Sequence, residues 1–177
     1  MNTWGPPDTS ECSPFYRGYI ERMGSTDVLA ALEHVGKLTE ELLQRIPPHM
    51  AGHRYAEGKW TISEVFQHLV DCERIMQYRA LRFARNDATE LPGFEENDYA
   101  LEADTSHRTL REIADELAVV RRSTELLFRS FPDKVALRQG VANGNPVTVR
   151  ALGWIIAGHT MHHLHILQQR YLSHEPS

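Results

Sequence analysis

Four histidines fall within seven residues, in Gly158-His159-Thr160-Met161-His162-His163-Leu164-His165. The stretch around them, residues 148–172, has no internal proline and reads as a helix. Four residues along a helix turn the side chain by about 40°, so His159 and His163 project from one face on successive turns. Imidazoles so placed can reach one metal ion. The row Leu152, Ile156, His159, His163, Ile166 or Leu167, Arg170 is largely apolar apart from the histidines, which points them inward. The row Leu152, Ile155, His159, His162, Ile166 fits the period as well, so spacing leaves His162 and His163 open. His165 lies about 240° round from His159 and faces elsewhere. A third ligand must come from another helix.

His68 is the strongest donor. It follows Thr61-Ile62-Ser63-Glu64, a T-x-x-E capping box that starts a helix at residue 62. Val65, His68, Cys72 and Ile75 then share a face, with His68 where an apolar residue is expected. Alone, an inward His68 is more often a hydrogen-bonded core residue. With His159 and a second imidazole facing it, a metal is favoured, because burying several neutral imidazoles without a shared partner is costly. Cys72, one turn on, reads as a small buried residue before it reads as a fourth ligand or reactive thiol. Glu64 already has its capping role. Arg79 and Arg82 could pair with an anionic substrate, but helix arginines are usually solvated. Tyr19, Tyr55 and Trp60 read as packing. His34, His49, His53, His107 and His174 have no partner pattern and read as surface residues.

Helical periodicity predicts four long helices. The first spans 26–46, with inner stripe Val28, Leu32, Val35, Leu38 or Thr39, Leu42 and Ile46, a cap at Ser25 or Thr26, and a stop at Pro47-Pro48. The second spans 62–85. A polar, acidic connection to residue 107 follows, long enough to join distant ends of a bundle or to cover a cavity. Thr109 and Glu112 form a second capping box for a helix through Leu110, Ile113, Leu117, Val120, Thr124, Leu127 and Phe131. Residues 134–147 read as short extended pieces turning at Asn143-Gly144. The fourth helix carries the histidines. Residues 1–24, with three prolines and mixed aromatics, read as an arm packed on a single bundle domain, 25–177.

The 177 residues suffice for one domain with its own core. A net charge of −5 offers no global attraction to nucleic acid, and no apolar run approaches the ~20 residues of a membrane span. Two cysteines and no secretory signal layout lead to an expectation of a cytoplasmic protein.

Three longer runs carry a family likeness. They are Gly58-Lys59-Trp60-Thr61-Ile62-Ser63-Glu64-Val65-Phe66-Gln67-His68-Leu69, then Gln139-Gly140-Val141-Ala142-Asn143-Gly144-Asn145-Pro146-Val147-Thr148-Val149-Arg150-Ala151-Leu152, then Gly158-His159-x-x-His162-His163. In this order and spacing they resemble the DinB-like superfamily, particularly its YfiT-like branch. The resemblance implies an all-α four-helix bundle with up-down-down-up course. It implies one divalent metal ion per chain, zinc or nickel, on His68, His159 and His163, which chooses His163 over His162. It further implies a small-molecule substrate and a homodimer. Thiol S-transferases of this family imply, as the leading expectation, activation of a low-molecular-weight thiol co-substrate at the metal. A metal-dependent hydrolase using a metal-bound hydroxide is the alternative, and a non-enzymatic metal-binding stress-response bundle is a third.

Overall fold

A computed structural model describes residues 4–172. The first three residues of the arm, and His174, lie outside the described residues. The elements are α1 (Arg17–Glu21), α2 (Val28–Gln44), α3 (Ile62–Ala84), α4 (Glu96–Glu102), α5 (Leu110–Arg129), a hairpin of β1 (Gln139–Ala142) and β2 (Asn145–Thr148), and α6 (Val149–Ile166). A wider helical turn, Leu167–Tyr171, prolongs α6.

The four long helices match those expected from periodicity, and their starts are set by side chains. Thr61 and Glu64 satisfy each other's backbone N–H groups ahead of α3, as do Thr109 and Glu112 ahead of α5. For α2 the cap is Asp27, whose extended backbone lets its carboxylate accept from the Ala30 N–H; neither Ser25 nor Thr26 fills that role. Thr39 rather than Leu38 completes the buried stripe of α2, and Phe128 rather than Leu127 that of α5. In α3 the buried face passes from Cys72 through Met76, not Ile75.

Cross-helix contacts fix the course of the chain. Arg108 donates to Gln67, Arg121 to Glu73 and Gln77 to Ser123, so α3 and α5 run parallel. The connection between them must therefore travel the length of the bundle. It contains the short helix α4, which no helical period in the sequence announces, and Leu91 exchanges backbone bonds with Val141 and Asn143 at the hairpin edge. The hairpin turns at Asn143 and Gly144, both at positive φ (52° and 68°), as a two-residue loop of this hand requires.

The arm is more regular than its prolines suggested. It holds α1 and packs firmly on the body. The Trp4 carbonyl accepts from the Trp154 indole and from the Val28 N–H. Buried Glu11 accepts from the Thr148 hydroxyl and pairs with Arg150, so the arm anchors the start of α6. Covered by α1 on one side and by α2 and α3 on others, α6 is buried from Ala151 to Met161 without a break.

The apolar core has two parts. One gathers around Trp154, Phe83 and Phe128, the other around Phe66, Leu69 and Leu164. Between them lies a polar layer. Arg121 donates three bonds to Glu73, one to the Leu32 carbonyl and one to the Thr160 hydroxyl. His68 and His159 are buried as well.

Candidate metal centre

His68 projects from α3 and His159 and His163 from α6 into one space. The Nε2 atoms of His68 and His159 are 3.0 Å apart, and those of His159 and His163 are 3.2 Å apart. Ligand nitrogens ~2.05 Å from a tetrahedral ion stand about 3.3 Å from one another, so the spacing fits a shared metal. Burial depresses all three pKa values, to about 4 for His68, about 3 for His163, and well below the usual range for His159, where the neighbouring imidazoles add to the effect. The rings are therefore neutral at pH 7 and offer lone pairs. As a protein-only arrangement it is awkward, since one Nε2 of His159 faces two others and cannot suit both as donor and acceptor at once.

The remaining walls come from residues read as packing. Trp60, held at the start of α3, places its ring 4.7 Å from that of His68 and nearly parallel to His163. Tyr19 of α1 packs edge-on to His159 and tilted against His162. His162 lies outside the cluster, with Arg22 beside its Nδ1.

Cys72 is fully buried, its Sγ 3.5 Å from His68 Nδ1, and burial pushes its pKa well above the usual thiol range. It is a neutral thiol beside the ring, as the small-buried-residue reading expects. Glu96, at the start of α4, joins these residues. One atom each of His68, Cys72, Glu96 and His159 lies within 4.8 Å of the others. Glu96 is exposed as a residue, but its carboxyl end is partly withdrawn from water; this burial, then the charge of Glu95, raises its pKa. No pattern in the acidic crossover distinguishes it from Glu95 or Glu90. Only the fold brings it to the histidines.

Arg79 and Arg82 part company. Arg82 pairs with Asp87 at the surface, whereas Arg79 is buried, contrary to a solvated reading. Position 79 lies eleven residues, or about 20° and three turns, beyond His68 on the same face.

A bundle of four long helices with an imidazole cluster between facing members is a common design for metal proteins. The model of the DinB superfamily matches residues 31–167, and the chain belongs to that family. Among solved structures, the chain is similar to YfiT from Bacillus subtilis, described as a probable metal-dependent hydrolase with an unusual four-helix bundle topology. The TM-score is 0.73 at 16% identity, over 94% of this chain and 91% of that one. The likeness extends to the bundle topology. No curated protein matches the chain. No helix among the described residues is long and apolar enough to cross a membrane.

Proposed function

We propose that the chain is a metal-dependent enzyme in which His68, His159 and His163 hold one divalent ion and Glu96 handles the proton of the reaction. The observation that carries this reading is the convergence of three neutral imidazole nitrogens. When bound, an ion with three protein ligands and an open position would acidify a nucleophile and polarise an electrophile. The protein's own part is distinct. Trp60 and Tyr19 wall the imidazoles from bulk water, and the Thr61 cap holds Trp60 in register with His68. Glu96 stands on the accessible side, with a pKa raised toward the range useful for taking up and returning a proton.

Hydrolysis suits this arrangement best. Its leaving group needs a proton, and Glu96 is placed to deliver one. Thiol S-transfer, the leading expectation from the family resemblance, is the second reading. It is favoured by Cys72, which stays protonated and beside the ring, leaving an open position to an outside sulfur. The test is metal analysis of the purified protein followed by a panel of ester and amide substrates, with and without low-molecular-weight thiols. Turnover without thiol that falls in Glu96→Gln, with metal retained, supports hydrolysis. Turnover only with thiol supports transfer. A metal-loaded protein inactive throughout supports a binding role, and a folded protein that takes up no metal overturns the proposal. Zinc and nickel are the metals to assay first. We extend the reading to a homodimer.

A further inference from the structure

Arg79 is an exception among the buried charges. Glu11 faces Arg150, Glu73 faces Arg121 and Glu125 faces Arg122. Arg79 is only 6% exposed, yet no carboxylate among the described residues pairs with it. Its Nη2 donates to the Pro92 carbonyl at 2.9 Å, and its guanidinium lies 5.8 Å from the centre of the Phe94 ring. A carbonyl and a ring offset little of a full charge. Arginine keeps its proton even where burial lowers its pKa, so this charge is permanent. A buried charge without a counter-ion is costly, and a ligand that brings the anion removes the cost.

Arg79 borders a cleft of about 330 Å³. The arm contributes Tyr16 to it, the crossover Phe94 and Glu96, and the hairpin Asn143 and Asn145. Glu96 belongs to both places, since its carboxylate also lies within 4.8 Å of ligand atoms of His68 and His159. Glu96 thus stands between the cleft that Arg79 borders and the histidines. Along the α3 axis Arg79 and His68 are about 16 Å apart.

We propose that Arg79 anchors a carboxylate of the substrate, holding a small organic acid in the cleft with its reacting end toward Glu96 and the histidines. The planar guanidinium fork matches a carboxylate with two parallel bonds. A phosphate dianion fits less well: the cleft supplies one positive charge, and Glu95 and Glu96 oppose a second negative one. The other polar side chains, the Ser13 and Tyr16 hydroxyls and the Asn97, Asn143 and Asn145 amides, are neutral. Anion binding rests on Arg79 itself; the role of that acid as substrate rests on the metal-centre reading above.

The experiment is calorimetric titration of the whole metal-loaded chain with acetate, succinate and benzoate, with dimethyl succinate and inorganic phosphate as controls. The same titrations are run on Arg79→Gln, Arg79→Lys and His159→Ala, and the metal content of each is measured. At least one carboxylate should bind the native chain, and its affinity should fall by at least about tenfold in Arg79→Gln. Arg79→Lys should recover part of the loss. The Arg79 Nε–H resonance of the native chain should shift on titration, a readout that stands even if Arg79→Gln fails to fold. Binding lost in His159→Ala but kept in Arg79→Gln would put the carboxylate at the histidines and overturn the proposal. Binding of no carboxylate, tighter binding of phosphate, or an unmoved Arg79 resonance would overturn it as well. A native chain that lacks metal yet binds carboxylate through Arg79 would keep this site and end the metal-centre reading. A metal-loaded chain indifferent to Arg79 would do the reverse.

Discussion

The backbone of Tyr19 lies directly against Gly158: a Cβ added at Gly158 would stand 2.4 Å from the Tyr19 carbonyl oxygen. That close approach lets α1 rest on α6 one residue before His159 and brings the Tyr19 ring to within 5.7 Å of that imidazole. The obstructing atoms are backbone, so they cannot swing aside. Gly158→Ala should push α1 away and destabilise the protein by ~1–3 kcal/mol. Urea denaturation would measure the loss, and Tyr19→Ala should leave little further effect to add to it if the contact is the cause.

His68→Ala, His159→Ala and His163→Ala should each lower metal affinity by at least about tenfold, since even outer partners of a metal ligand matter that much. His162→Ala and His165→Ala should bind metal almost normally, because neither ring joins the cluster. Cys72→Ser should keep its metal too. Competition titration with a chelating dye checks all six variants. A strong effect of Cys72→Ser, with none from His163→Ala, would exchange the ligand set for one built on His68, Cys72, Glu96 and His159.

The metal-free protein should lose stability as pH falls. Folded His68 and His163 hold pKa values of about 4 and about 3, against ~6.5 in an unfolded chain. Below pH ~6.5 the unfolded chain takes up protons that the folded one refuses, so stability is full above that pH and declines down to pH 3–4. Denaturation midpoints at pH 7.5, 5.5 and 4.5 should fall in that order. The decline should be shallower in His163→Leu, which removes one of the refused protons.

Arg121 and Glu73 form a buried pair that also holds Thr160, the residue after His159. Arg121→Met should cost about 3–5 kcal/mol by leaving the Glu73 carboxylate buried and alone. The double variant with Glu73→Leu should recover much of that loss, because apolar side chains of similar volume replace the pair without a stranded charge. A double-mutant cycle by thermal or urea denaturation reads the coupling.

Met76 and Phe83 of α3 are core residues. Leu81 and Tyr78 of α3 remain exposed, with Val119 and Leu126 on the parallel α5. The homodimer is expected to form across this outer face. Sedimentation should show a dimer at micromolar concentration and a shift toward monomer in Val119→Asp/Leu126→Asp. A native monomer would count against the association, with no consequence for the metal centre.

The parts legible in the sequence are those written in neighbouring residues. Thr61 with Glu64 and Thr109 with Glu112 announce helix starts because each cap closes within three residues. Asn143-Gly144 announces its turn because both positions need positive φ. The stripes of α2 and α5, and the inward set of His68 and His159, follow from a helical period that any core must respect. Spacing alone left His162 and His163 undecided, since both lie within about 60° of the His159 direction; family resemblance chose between them, and the packing of Trp60 and Tyr19 shows where each ring goes.

What only the tertiary structure decided depends on contacts between segments far apart in the chain. Glu96 is one acid among several in the crossover until α4 settles over the histidines. Arg79 reads as a surface arginine until the crossover and hairpin close over it. Gly158 looks like a poor helix residue until α1 crosses it. In each case the local sequence sets what the residue can do, and the neighbour that gives it a task arrives from another segment. Periodicity records which face of a helix is buried, but not which atoms bury it.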